Sequence, residues 1–195
     1  MGRARDRGGV RGGLLSAPIS PTDESCRSGL AGAVQLLVVS DTHIPDFAKA
    51  LPDAVVAEAS RADLVLHAGD VTTPGVLEEL ADVAPVLCAL GNGDGDDVAR
   101  WGARPRIETR LDGINVGMVH DSGPRRGRAV RLRRWFPTAD LVVFGHSHIP
   151  MDLCEDGIRL LNPGSPTWKR RQEAPTFAVV TVRGRDIDAR IVEVR

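Results

Sequence analysis

Val34-Gln35-Leu36-Leu37-Val38-Val39-Ser40-Asp41-Thr42-His43 is an apolar run that stops at a carboxylate and an imidazole. Residues 36–39 are all leucine or valine. Such a block predicts a short strand buried on both faces. Asp41 and His43 then fall in the loop just past its carboxyl end, where open α/β sheets receive their ligands. Two metal-capable side chains spaced by one residue can converge on one ion. Asp-x-His alone arises by chance in many chains. The reading therefore turns on whether other strands bring ligands to the same edge.

Outward from this stretch the pattern repeats. Asp63-Leu64-Val65-Leu66-His67 reads as a second short strand, followed by Ala68-Gly69-Asp70. Pro85-Val86-Leu87-Cys88-Ala89-Leu90 reads as a third, followed by Gly91-Asn92-Gly93-Asp94. Between them, Pro52 fits the first turn of a helix through Val55, Val56 and Ala59. Thr73 can cap a helix opening at Pro74, with Val76, Leu77 and Leu80 as its apolar stripe. Strand, helix, strand, helix, strand predicts a parallel sheet with right-handed crossovers.

The style then changes. Residues 106–111 and 114–119 flank an Asp112-Gly113 turn and predict a hairpin whose second arm ends in His120. Residues 125–136 suit a basic amphipathic helix with Val130, Leu132 and Trp135 inward. Leu141-Val142-Val143-Phe144 is another buried strand, followed by Gly145-His146-Ser147-His148. A second hairpin turns at Asp156-Gly157, and residues 177–182 and 187–194 supply two late strands. The expected architecture is a four-layer α/β sandwich, two mixed β-sheets flanked by helices. One domain spans residues 34–195.

Composition sets the outer limits. A chain of 195 residues can bury a substantial core, and a net charge of -1 gives no bulk signal for nucleic acid. Cys26, Cys88 and Cys154 are scattered and odd in number, which points to a reducing compartment. No apolar run reaches the ~20 residues of a membrane span. The expected location is the cytoplasm, without membrane attachment, as a monomer or a homo-oligomer. Residues 1–33 are rich in Gly and Arg and poor in large apolar side chains, which predicts a disordered tail. It is either an electrostatic arm for an anionic partner, through Arg3, Arg5, Arg7 and Arg11, or an extension with no role.

Each apolar strand thus delivers ligand-type residues: Asp41 and His43, Asp70, Asn92, His120, then His146 and His148. Four of the five histidines fall at such points. Mixed nitrogen and oxygen ligation suits Mn, Fe, Ni or Zn better than Mg or Ca alone. His67 lies inside its strand and reads as a hydrogen-bonded core residue.

In these residues the sequence resembles the calcineurin-like metallophosphoesterase superfamily: Asp41-Thr42-His43, Gly69-Asp70, Gly91-Asn92, His120 and Gly145-His146-Ser147-His148. The short length and Asn162-Pro163-Gly164-Ser165 are similar to its small bacterial and archaeal phosphodiesterase branch. The resemblance implies one ion on Asp41, His43, Asp70 and His148, and a second on Asp70, Asn92, His120 and His146, with Asp70 bridging. Mn is the first choice of metal, with Ni, Fe or Zn as alternatives. A bridging hydroxide would attack the phosphorus of a small-molecule phosphate ester, most directly a diester, because water between two ions loses its proton near neutral pH.

Two positions depart from the pattern. The residue after the Asn is commonly His or Cys in that superfamily; here it is Gly93, which has no proton to donate. Asp94 is then a candidate catalytic or orienting group, or a solvated turn residue beside Asp96 and Asp97. A missing donor implies a preference for good leaving groups such as aryl or nucleoside phosphates. Asp121 stands where the superfamily commonly has Gly. Arg125, with Arg126 and Arg128, could contact substrate phosphate or form a solvated helix face. The superfamily also includes a retromer subunit that serves mainly as a scaffold. A metal-binding interaction module with little activity is therefore the alternative function.

Overall fold

The structure is a computed structural model that describes residues 32–195. The expectation of an unstructured arm concerns residues 1–33, nearly all of which lie outside the described residues.

Among the described residues, ten strands form two sheets of five. The first contains β1 (Val34–Val39), β2 (Leu64–His67), β3 (Val86–Cys88), β9 (Thr176–Arg183) and β10 (Asp186–Glu193), in the order β10-β9-β1-β2-β3. β1, β2 and β3 are parallel, and β9 returns antiparallel to β1. The second contains β4 (Arg106–Leu111), β5 (Ile114–Val119), β6 (Leu141–Val143), β7 (Met151–Glu155) and β8 (Ile158–Asn162), in the order β4-β5-β6-β8-β7. Both sheets are mixed.

β1 explains the layering. Its side chains alternate faces with period two. Leu36 and Val38 join Leu66, Val116, Met118, Leu141, Val143 and Val180 in a core between the sheets. Leu37 and Val39 face the other way and pack with Val55, Leu77, Leu80 and Val98. Those residues come from α1 (Asp53–Ala59), α2 (Pro74–Ala81) and α3 (Asp96–Trp101). On the far side, α4 (Arg128–Trp135) contributes Ala129 and Leu132 to a third core with Val142, Phe144 and Leu160. The order helix, sheet, sheet, helix is the expected four-layer sandwich.

Several local expectations need correction. α4 opens at Arg128, because Gly127 takes a left-handed φ of 69° just before it. Val130 faces solvent at 52% exposure, while Ala129 takes the inward place. Pro52 precedes α1 as its cap position. Thr73 sits at the start of α2, but its hydroxyl donates to the Ile44 carbonyl at 3.2 Å and does not cap the helix. α3 lies where an acidic loop was expected; Asp96 and Asp97 occupy its first turn, where carboxylates complement the helix dipole.

The β3–α3–β4 segment links the two sheets. An isolated bridge pairs Ala89 with Arg104, and Leu90 N–H donates to the Arg104 carbonyl at 2.7 Å. This tie sets the ends of β3 and β5 side by side, each delivering a polar residue to one edge.

Candidate metal centre

The polar residues expected at the strand ends meet there. Asp41, His43 and His148 offer ligand atoms that all lie within 4.8 Å of one another, and so do Asp70, His120 and His146. Only His146 is exposed among the six. Asp41, His43, Asp70, His146 and His148 all take left-handed backbone, with φ between 45° and 67°. That conformation turns the chain sharply out of each strand. It costs an L residue about a kcal/mol or more and persists only where surrounding contacts enforce it.

Those contacts are dense. Asp41 N–H donates to the Gly69 carbonyl, His43 N–H to the Asp70 carbonyl, and Gly145 N–H to the His120 carbonyl, at 2.9–3.1 Å. Ser165 Oγ donates to the Asp41 carbonyl at 2.7 Å, and Thr167 Oγ1 to that of Thr42 at 2.6 Å. Asn162 Nδ2 donates to the Gly145 carbonyl at 2.9 Å. The 162–165 turn therefore braces the ligand loops. Gly145 is required by close approach: a Cβ there would overlap Ser40 Oγ and come within 2.7 Å of Asp41 Oδ2.

Each carboxylate has one anchored oxygen and one that points at imidazoles. Asp41 Oδ2 accepts from Ser40 Oγ at 2.6 Å and from His146 N–H at 3.0 Å. Its Oδ1 lies 3.2 Å from His148 Nε2 and 4.0 Å from His43 Nε2. Asp70 Oδ1 accepts from Gly93 N–H at 2.7 Å. Its Oδ2 lies 3.6 Å from His43 Nε2 and 3.3 Å from His120 Nε2, so it faces both groups.

The imidazoles are oriented in turn. Nδ1 of His120 sits 2.7 Å from the Ala68 carbonyl, and Nδ1 of His148 sits 2.7 Å from that of Trp168. A carbonyl only accepts, so both Nδ1 atoms carry the proton and Nε2 is left to bind. Asn92 Oδ1 lies 3.1 Å from His120 Nε2 and 2.8 Å from His146 Nδ1.

A divalent ion fits this arrangement on a direct observation. Asp41 Oδ1, His43 Nε2 and His148 Nε2 are buried, converge on one point and have no hydrogen-bond partner. Three such atoms are expensive to strand in a protein interior. A cation accepting their lone pairs removes that cost.

The electrostatics agree. Burial alone would raise the Asp70 carboxyl, but the His120 hydrogen bond and charge, the Gly93 amide and His43 outweigh it and hold it down to about 2. Burial lowers the His43 imidazole despite Asp70 and Asp41. His120 moves up, because contact with Asp70 and the charge of Asp41 overcome its burial. An anion at the centre is thus stabilised by whatever cation its neighbours can supply.

Asp94 is half-buried, and both of its oxygens are taken up by backbone amides. Its Oδ1 accepts from Val71 and Thr72 N–H at 2.7 and 2.9 Å. Its Oδ2 accepts from Gly91 and Asp70 N–H at 2.7 and 3.1 Å. These four contacts brace the Asp70 turn, in keeping with the orienting role among those expected for Asp94. His67 is buried; its Nδ1 accepts from Gly69 N–H at 3.2 Å, so Nε2 carries the proton and donates to Thr42 Oγ1 at 3.1 Å. Arg125 is exposed in the loop before α4, and the guanidinium of Arg128 lies over the Phe144 ring. The bracing hydroxyls of Ser40, Ser165 and Thr167 were not foreseen from sequence.

The comparisons place the chain. Residues 34–185 match the calcineurin-like phosphoesterase superfamily domain. A probable metallophosphoesterase of Methanothermobacter thermautotrophicus is 38% identical over 159 residues, 80% of this chain and 90% of that protein. Vacuolar protein sorting 29 from Cryptosporidium parvum shares the fold at TM-score 0.69 and 20% identity, covering 83% of this chain and 97% of that one. So does a structure described as a novel archaeal phosphodiesterase, at TM-score 0.64 and 18% identity, covering 82% and 100%. No helix among the described residues is long and apolar enough to cross a membrane. This chain belongs to the calcineurin-like phosphoesterase superfamily.

Proposed function

We propose that the chain is a binuclear-metal-dependent phosphoesterase and that its preferred substrates are phosphodiesters. The observation that carries the reading is Asp70 Oδ2, which faces His43 on one side and His120 on the other. Asp41, His43, Asp70 and His148 would hold one ion; Asp70, Asn92, His120 and His146 would hold the other. Mn is the first candidate, with Ni, Fe and Zn behind it. When bound, such ions supply charge for the phosphoryl oxygens and an acidified water as nucleophile.

The chain's own residues supply placement. The Gly93 and His146 amides fix one oxygen of each carboxylate, so the other is presented without rotation. The Nδ1 contacts of His120 and His148 fix ring orientation in the same way. Two ions and two carboxylates leave a surplus of positive charge for an anionic ester. Asp121, beside Asn92 and His120, repels a dianionic monoester more than a monoanionic diester. Gly93 offers no proton to the departing oxygen, which favours esters of acidic alcohols and phenols.

The competing reading is a metal-binding scaffold, which Gly93 also accommodates. Hydrolysis of bis-p-nitrophenyl phosphate by metal-stripped protein, reloaded with each metal, separates the two. Metal-dependent turnover that Asp70→Asn abolishes supports the enzyme. No turnover with any metal despite bound ions supports the scaffold.

A further inference from the structure

A cleft of about 380 Å³ opens directly against the second group of ligands. Asn92 and His120 line it together with Asp121, Arg106, Trp135 and Leu90. The volume lies in the range of small-molecule sites, which are mainly apolar with a few placed polar groups.

Two features mark it as built for a flat, uncharged ring system. The first is the pairing of Arg106 with Trp135: the guanidinium Cζ lies 4.1 Å from the indole centroid. Arg106 stands opposite Val119 in the β4–β5 ladder, one residue before His120. The indole contact holds the guanidinium beside the cleft, where its N–H groups can donate to an acceptor. The second is Asp121. One of its oxygens accepts from Gly123 N–H at 2.7 Å, which leaves the other as an acceptor on the cleft wall. A donor and an acceptor on one apolar cleft match the edge of a nucleobase, which carries both. The aspartate also disfavours a second phosphate in this place.

We propose that this cleft binds the nucleoside half of a nucleotide phosphodiester, with Arg106, Trp135 and Asp121 as specificity residues. The inference rests on the phosphodiesterase reading above and names its substrate class.

Thymidine 5′-(p-nitrophenyl phosphate) and methyl p-nitrophenyl phosphate share a leaving group and differ in the retained half. With Mn-loaded protein, kcat/KM for the thymidine ester is expected to exceed that for the methyl ester by at least about tenfold, the worth of one stacked base. Arg106→Gln and Trp135→Leu should each collapse that ratio while turnover of the methyl ester persists. Arg106 is exposed on an edge strand, so its variant tests the cleft even if loss of Trp135 disturbs folding. Equal kcat/KM in the wild type, or a ratio unmoved by Arg106→Gln, would overturn the proposal. Turnover of neither ester with any metal defeats the phosphodiesterase reading itself. Calorimetric titration of the Mn-incubated chain with the methyl diester of thymidine 5′-phosphate, a monoanion with a poor leaving group, then decides the cleft. Saturable binding weakened about tenfold by Arg106→Gln supports it, and no saturable binding overturns it.

Discussion

Asp94 holds Asp70 by the backbone: its Oδ2 accepts the Asp70 amide at 3.1 Å, while its other contacts fix the amides of Val71, Thr72 and Gly91. The residue that presents the central carboxylate is thus itself set by a second carboxylate, three positions past the Gly91 turn. Asn in its place has one acceptor oxygen and turns an NH₂ group toward amides that need acceptors. Asp94→Asn is therefore expected to lower stability by about 2–4 kcal/mol and to weaken Mn binding by about ten- to a hundredfold. Urea unfolding in chelator and Mn titration measure the two separately.

Gly145 tests the close approach of the loops. A methyl group there would drive into Ser40 Oγ and Asp41 Oδ2. Gly145→Ala should displace Asp41 and lower Mn affinity by at least about tenfold, with a smaller effect on the far group. Calorimetric titration of the chelator-treated protein with Mn reads the loss.

His67 gives a pH signature. Burial lowers its imidazole from the ordinary 6.5 to about 4. Between those values the unfolded chain binds a proton that the folded chain does not. The contribution of the neutral ring is complete above pH 6.5 and is lost as pH falls toward 4, about 3 kcal/mol in all. Urea midpoints in chelator, taken from pH 7.5 to pH 5, should fall more steeply for the wild type than for His67→Gln. Parallel curves would contradict this account of His67.

Metal should stabilise the fold through the stranded atoms Asp41 Oδ1, His43 Nε2 and His148 Nε2. At about a hundred times its Kd, Mn contributes about 3 kcal/mol, or roughly 5–10 °C in Tm for a domain of this size. Asp41→Asn should lose much of that rise. Differential scanning calorimetry with and without chelator reads it directly.

How far the sequence carried the reading depends on the kind of signal. Asp41, Asp70, Asn92, His120 and His148 were legible because each follows an apolar strand, and strands announce themselves by residue type and length. The sandwich was legible for the same reason, since β1 needs partners on both faces. α3 was not: six residues opening with Asp96 and Asp97 resemble a polar loop more than an amphipathic helix. The braces were not either. Ser165 reaches Asp41 across 124 positions, and a lone hydroxyl has no periodicity. The sequence leaves Asp94 between a catalytic or orienting group and a turn residue, because its four amide partners become visible only once the Asp70 and Gly91 turns meet.

The central claim is that two ions share Asp70. Metal content per chain after equilibrium dialysis against Mn, with and without Asp70→Asn, tests it most directly. Two ions per chain in the wild type and a loss at both positions in the variant are predicted. One ion per chain, or two that survive the substitution unchanged, would contradict it.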